Sequence, residues 1–428
     1  MDVVIRDGNI INGSKVCIPA SKSHSIRAIF IAGLAKGDTK INNLLISADV
    51  ISAIDAMKKF GALVEVKKDY VYVSGVGGNI REPKDEIDVG NSGTTLRFAM
   101  MVAAIIDGVT TLTGDDQIKR RPIRELVELI INLGGRVEYL EESDHVPIKI
   151  HGRIKGGESS LDALTSQYLS ATLISCPLLT CDTKINLTRL NEVPYVNMTM
   201  WWLDKQNIKY INNLPKDVTI FGGQSYRGFN VSIAGDYSQA TFFVVLAAIS
   251  GKRIVLKNLK RDDVQGDKRI LDVVSSFGVK ITWQGDLVCI TGGELKGRIV
   301  DMNDIPDALP ALAVLGCFAE GETKLINVEQ ARYKETDRIH VMCEELSKLG
   351  GNVREISDGL IIKKSELHGG IVDGHRDHRI VMALSVLGTC VREDVVVKGA
   401  ESVDITFPNF FKEICNIGGR VFCKVVLD

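Results

Sequence analysis

No two cysteines in this chain stand at CxxC spacing, and no Cys/His group has the spacing of zinc ligands. That excludes a zinc ribbon and a dithiol redox motif. Cys176, Cys317, Cys343, Cys390 and Cys415 lie inside apolar runs and are expected as reduced, packed thiols. An excess of one charge is also missing. Lys and Arg number 52 against 54 Asp and Glu, a formal charge of -2, so nothing global draws nucleic acid and any anion site must come from local clustering. No apolar run approaches the ~20 residues that span a bilayer, and the opening MDVVIRDGNI has neither a basic n-region nor an apolar h-region. The expected setting is cytoplasmic, with no membrane partner. Neither a dinucleotide fingerprint nor a GxxxxGK[ST] loop is complete; "GVGGNI", with Gly75, Gly77 and Gly78, reads as a strand turn. His24, His145, His151, His340 and His368 stand singly, as surface or packed residues rather than metal ligands. Trp201, Trp202 and Trp283 fall in helix or strand patterns and are expected in cores.

What the chain has instead is repetition. Its 428 residues exceed one ordinary core and imply two or three domains. Two kinds of segment alternate six times along it. The first is a small-residue apolar helix, a turn with Gly or Asp, and a β-branched strand, as in "IRAIFIAGLAKGDTKINNL" and "LPALAVLGCFAEGETKLINV". The second is an amphipathic helix ending at Gly and followed by strands, as in "AIDAMKKFGALVEVKKDYVYVSG" and "ILDVVSSFGVKITWQGDLVCITGG". Gly61, Gly134, Gly278, Gly350 and Gly418 are the predicted left-handed helix stops. Helices apolar on nearly every side belong in a domain centre, so the reading is an α/β protein with helices inside and sheets outside. The first strand pattern has no partner nearby, while the sixth unit stops after one strand. The expected division is therefore one domain over 20–233 and another from 1–19 plus 234–428, joined by two crossings that form a hinge.

Polar residues gather just before the apolar helices: "SKSHSIR", "GNSGTTLR", "TSQYLS", "GDYSQAT", "DIPDALP" and "RDHRIVM". Ser, Thr, Asn and Asp there are natural caps. Lys22, Arg27, Arg97 and Arg379 are not, because a cation at a helix start opposes the macrodipole unless an anion intervenes. "DDQIKRRPIREL" adds Lys119, Arg120 and Arg121 before Pro122, and "ARYKETDRIHVM" sets Lys334, Glu335 and Arg338 around another helix start. The pattern points to anionic ligands held at several helix entrances, with Glu335 a candidate acid/base or salt-bridge partner.

"PASKSHSIRA", "NSGTTLR", "KRRPI", "TSQYLSA", "IPDA", "RYKETDR", "DHRIVMA" and "TFPNFF" resemble, in order and spacing over essentially the whole chain, the 5-enolpyruvylshikimate-3-phosphate synthase family. The resemblance implies the two-domain inverse α/β barrel of the enolpyruvyl transferases. It also implies transfer of the enolpyruvyl group of phosphoenolpyruvate to the 5-hydroxyl of shikimate 3-phosphate, with release of phosphate, in the shikimate pathway to aromatic amino acids. By the same resemblance, Lys22, Ser23, Arg27, Thr165, Ser166, Gln167, Tyr195, Asp307, Gln330 and Lys334 would bind shikimate 3-phosphate. Lys22, Asn91, Gly93, Arg121, Gln167, Arg338 and Arg379 would bind phosphoenolpyruvate. Asp307 would take the hydroxyl proton and Glu335 would protonate the methylene carbon, with Lys22 and His378 beside them as further catalytic groups. No cofactor or metal is implied, the chain would act as a monomer, ligands from both domains would close the hinge over the substrates, and the glycine of "NSGT" would leave it sensitive to glyphosate. Two other readings of the fold are a transferase acting on UDP-N-acetylglucosamine, whose loop cysteine is missing from "TGDDQIKRRPI", and a noncatalytic anion-binding relative. Four positions depart from the family pattern: Glu192 replaces a serine near the expected substrate phosphate, Gln330 an asparagine, Ile405 a lysine directed at phosphoenolpyruvate, and Phe98 a proline.

Overall fold

The computed structural model describes residues 1–424; the last four residues of the second expected domain, 425–428, lie outside the described residues. The chain divides into two compact units, Ser21–Ile233 and a second made of Met1–Ala20 with the chain from Ala234 onward. Each is an inverse α/β barrel built on the repeat seen in the sequence.

In the first unit the small-residue segments form α1 (Lys22–Leu34), α3 (Gly93–Ile105) and α5 (Ser166–Ser175). The amphipathic ones form α2 (Ala48–Lys59), α4 (Arg124–Asn132) and α6 (Val193–Lys205). In the second unit α7 (Tyr237–Ser250), α9 (Leu309–Phe318) and α11 (His378–Gly388) are buried almost throughout and pack on one another. Their companions are α8 (Ile270–Ser276), α10 (Arg338–Lys348) and α12 (Phe410–Asn416). A helix without a polar face has no stable place at the surface, so Ala, Gly and Val let these helices approach closely inside.

Among the described residues six four-stranded sheets surround the helices, and all six share one strand pattern: a parallel edge strand, then two antiparallel neighbours. Alternating burial along the strands, as in Asp38–Asn42, turns one face of each sheet inward. Asp2–Arg6 lies between Val395–Lys398 and Arg420–Lys424, so the start of the chain completes the sixth sheet. Ser14–Cys17 supplies the parallel edge of the sheet at Arg253–Lys257, and Asn230–Ser232 does the same for Asp38–Asn42.

The amphipathic helices stop where the glycines stand. Gly61, Gly134, Gly278, Gly350 and Gly418 have φ between +85° and +107°. In the third repeat, which lacks that glycine, Asn207 takes the left-handed position at φ 56°, as asparagine tolerates it best among the other residues. Side-chain caps close five of the six buried helices: Ser21, Ser92, Thr165, Asp236 and Asp377 each accept from a backbone N–H of the first turn. The sixth, α9, is entered through the tight turn Pro306–Ala308. These entrances carry the candidate site residues.

Candidate active site

Within the first unit, three helix entrances hold the predicted anion-binding residues. At α1, Lys22 pairs with the buried Asp49 of α2 at 3.0 Å. Ser23 is half-buried, and its carbonyl accepts from Arg27 Nη1 at 3.0 Å. Arg27 is itself buried. Its Nε donates to Thr199 Oγ1 at 2.8 Å, and its Nη2 to Ser170 Oγ at 3.3 Å and the Tyr195 carbonyl at 3.0 Å. No carboxylate compensates it in these contacts, and burial pulls its pKa down to about 10; it is a desolvated cation, still charged at neutral pH, which favours an anion nearby. Phe98 lies beneath, with the guanidinium carbon 5.6 Å from the ring centroid and Phe30 edge-on at 5.3 Å. That departure from the family pattern is thus absorbed by core packing under Arg27.

At α3, Asn91, Gly93 and Arg121 come together, with Gln167 from α5. Arg121 Nη2 donates to Asn91 Oδ1 at 2.7 Å, and Asn91 Nδ2 donates to Asp115 at 2.8 Å. A Cβ added at Gly93 would stand 2.7 Å from Arg121 Nη1, 3.1 Å from Arg97 Nη1 and 3.5 Å from Gln167 Oε1. Arg97 donates to the carbonyls of Gly93 and Pro122 at 3.2 and 2.9 Å, and burial lowers its pKa, reinforced by the like charge of Arg121. Two buried guanidinium groups therefore flank a bare backbone at a positive helix end, an arrangement suited to a small dianion.

At α5, Thr165 caps the helix by accepting from Gln167 N–H at 3.4 Å. Tyr195 is half-buried in the first turn of α6. Glu192, which precedes α6 with φ 57° and ψ 41°, does not cap its own helix. Its Oε2 accepts from Ser166 Oγ at 2.7 Å, Ser166 N–H at 3.2 Å and Thr165 Oγ1 at 3.3 Å.

The second unit carries the remaining predicted residues, and its centre is Arg338, whose side chain is 1% exposed. Its Nη1 donates to Asp307 Oδ1 at 2.7 Å, its Nη2 to Glu335 Oε2 at 2.5 Å, and its Nε to Asp377 Oδ2 at 2.7 Å. The other oxygen of Asp307 meets Arg379 Nη2 at 2.7 Å. Burial works against the charge on Arg338, but Asp377, Glu335 and Asp307 outweigh it and raise its pKa. Asp307, 19% exposed, and Glu335, 9% exposed, are thus two carboxylates presented side by side with their repulsion screened by arginine. Arg379 Nη1 is buried with no hydrogen-bond partner among the described residues, a donor aimed where an acceptor would be welcome. His378 is fully buried in the first turn of α11, its Nδ1 3.8 Å from Asp377. Gln330, also buried, donates to the Asn303 carbonyl at 3.3 Å, and Lys334 is half-buried just ahead of α10. Ile405 is half-buried at the end of the turn Ala400–Ile405.

Sequence reasoning did not single out Asp49 or Asp377. Asp377 had a signal, the cap position before "HRIVM", and it also accepts from Arg379 N–H at 2.9 Å while holding Arg338. Asp49 had none, since its pairing with Lys22 joins two helices.

The sequence pattern of the family described as EPSP synthase (3-phosphoshikimate 1-carboxyvinyltransferase) matches residues 6–414. A 3-phosphoshikimate 1-carboxyvinyltransferase of Ruminiclostridium cellulolyticum is 49% identical over 411 residues, covering 96% of this chain and 97% of the relative. Its namesake in Acetivibrio thermocellus is 51% identical over 406 residues, 95% of this chain and 96% of the relative. Among solved structures, the EPSP synthase of Acinetobacter baumannii superposes with a TM-score of 0.83 at 25% identity, covering 99% of this chain and all of that one. With its repeats, its helix entrances and these relatives in agreement, the chain belongs to the EPSP synthase family.

Proposed function

We propose that this chain transfers the enolpyruvyl group of phosphoenolpyruvate to the 5-hydroxyl of shikimate 3-phosphate, releasing inorganic phosphate in the shikimate pathway. The observation that carries the reading is the cluster on Arg338, where Asp307 and Glu335 share one buried guanidinium with Arg379 alongside. Addition requires a base for the hydroxyl and an acid for the vinyl carbon. Asp307 takes the hydroxyl proton as that oxygen bonds to C2 of phosphoenolpyruvate, and Glu335 delivers a proton to C3. Elimination then returns a C3 proton to a carboxylate as the C2–O bond to phosphate breaks, leaving the enol ether. Arg338 and Arg379 hold the phosphoenolpyruvate anion, and Lys22 steadies both substrates. Arg121, Asn91, Gln167 and the backbone at Gly93 bind the same small anion, while Ser23, Arg27, Tyr195, Gln330, Lys334 and the Thr165–Ser166–Gln167 turn bind shikimate 3-phosphate. His378, buried in the first turn of α11 with its Nδ1 3.8 Å from Asp377, stands beside the carboxylates as a further catalytic group. The reading includes a cytoplasmic monomer and glyphosate binding beside Gly93; among the described residues no helix is long and apolar enough to cross a membrane.

Phosphate release measured with both substrates, and then with each omitted, tests the activity; release without shikimate 3-phosphate, or none with both present, overturns it. Glu335→Gln keeps the shape but removes the transferable proton, so kcat falls by about 100-fold or more with substrate affinity retained. Loss of binding by calorimetry with turnover intact in the remaining complex would remove Glu335 from the acid role.

A further inference from the structure

The α5 entrance already contains an anion, and it belongs to the chain. Glu192 is 2% exposed, and one of its oxygens collects three donors: Ser166 N–H, Ser166 Oγ and Thr165 Oγ1. Each of those groups carries a single hydrogen, so what Glu192 accepts is not available to another acceptor. They also belong to the turn that the proposed function assigns to shikimate 3-phosphate, near whose phosphate position 192 is expected to lie, and this inference rests on that reading. A carboxylate and a phosphate on the same hydrogens repel one another, and both cannot occupy the turn.

Glu192 reaches the turn from an unusual backbone. It stands at the N-cap position of α6 in the left-handed region, where a side chain without glycine's freedom is strained, and it leaves its own helix uncapped in order to cap α5. Its flanking residues Asn191 and Val193 are half-buried, which sets this stretch at the margin of the core. Arg27 approaches the same junction, donating to Ser170 of α5 and to the Tyr195 carbonyl of α6. The positive end of α5 is a favourable place for one anion, and Glu192 supplies it.

We propose that Glu192 is a built-in competitor of the substrate phosphate: its carboxylate holds the α5 donors and swings away when shikimate 3-phosphate takes them. This side chain then sets the affinity for the phosphate-bearing substrate without taking part in the chemistry.

Calorimetric titration of the full chain with shikimate 3-phosphate, for wild type, Glu192→Ser and Glu192→Gln, decides it. Removing the competing charge tightens binding by about tenfold in Glu192→Ser, with Glu192→Gln between it and wild type. Inorganic phosphate alone raises the melting temperature of Glu192→Ser more than that of wild type, because the donors freed by the substitution lack a partner until phosphate arrives; a residue with a purely structural role gives no such difference. Should Glu192→Ser not fold, Glu192→Gln carries the test. If the folded variants bind shikimate 3-phosphate no more tightly than a wild type that turns over both substrates, the inference falls and the assignment of the site stands. If wild type neither binds shikimate 3-phosphate nor releases phosphate, the site assignment falls and this inference with it.

Discussion

An added methyl group at Gly93 would meet Arg121 Nη1 at 2.7 Å and Arg97 Nη1 at 3.1 Å, and neither guanidinium moves without cost. Arg121 is held by Asn91, and Arg97 is tied to two carbonyls in a buried place. Overpacking of this kind costs about 1–3 kcal/mol. Gly93→Ala is therefore expected to raise KM for phosphoenolpyruvate by roughly tenfold while changing affinity for shikimate 3-phosphate by less than about twofold. Steady-state kinetics with each substrate varied in turn reads both numbers. An equal loss for the two substrates would mean that the α3 entrance serves the fold rather than one ligand.

Among elements, the junction of α10 with α11 is held from two ends of α10. Arg338 in its first turn grips Asp377, the cap of α11, while Glu345 further along accepts from Asp373 N–H at 3.0 Å and pairs with His375 at 2.8 Å. The intervening segment places His375 and Arg376 in the left-handed region, at φ 49° and 56°, so the contacts of Glu345 fix a strained path that delivers Asp377, His378 and Arg379. Lys348 and Glu344 also face the pair, and Lys348 binds both glutamates. The hydrogen bond to Glu345 raises the pKa of His375 above its ordinary 6.5, against the effect of burial. Burial disfavours ionised Glu345, but hydrogen bonds from His375 and Lys348 prevail and keep its pKa below 4.5. The histidine's contribution is complete below 6.5 and fades as pH rises through its raised value; the glutamate's is complete above 4.5 and fades as pH falls through its lowered value. The melting-temperature advantage of wild type over His375→Asn should thus be greatest between those limits and decline on both sides. A difference independent of pH would leave His375 with a packing role only.

At the scale of the whole molecule, the first unit is one continuous stretch, whereas the second borrows two strands from the start of the chain. A contiguous segment of about 200 residues with its own buried helices is large enough to fold alone. The segment 21–233 produced by itself is expected to melt cooperatively and to release no phosphate, because Asp307, Glu335, Arg338 and Arg379 lie in the other unit. Calorimetry and the phosphate-release assay check the two halves of that statement, and a noncooperative melt would show that the units depend on each other to fold.

The amino-acid sequence by itself determined what is local and periodic: six repeats, buried helices with caps at their entrances, glycine stops, and a concentration of cations where caps alone would suffice. Helical and strand periods, Ser or Asp before an apolar run and Gly after one act over a few residues, so they are legible in one dimension. The partners of those cations were decided only by the tertiary structure. Lys22 meets Asp49 across two helices, Arg338 gathers Asp307 and Asp377 from two distant segments to join the nearby Glu335, and Glu192 turns from its own helix to the next. Nothing in the spacing of such residues encodes the meeting, because a charged side chain finds its counterion through the packing of whole elements, and that packing exists only once the sheets have closed around the helices.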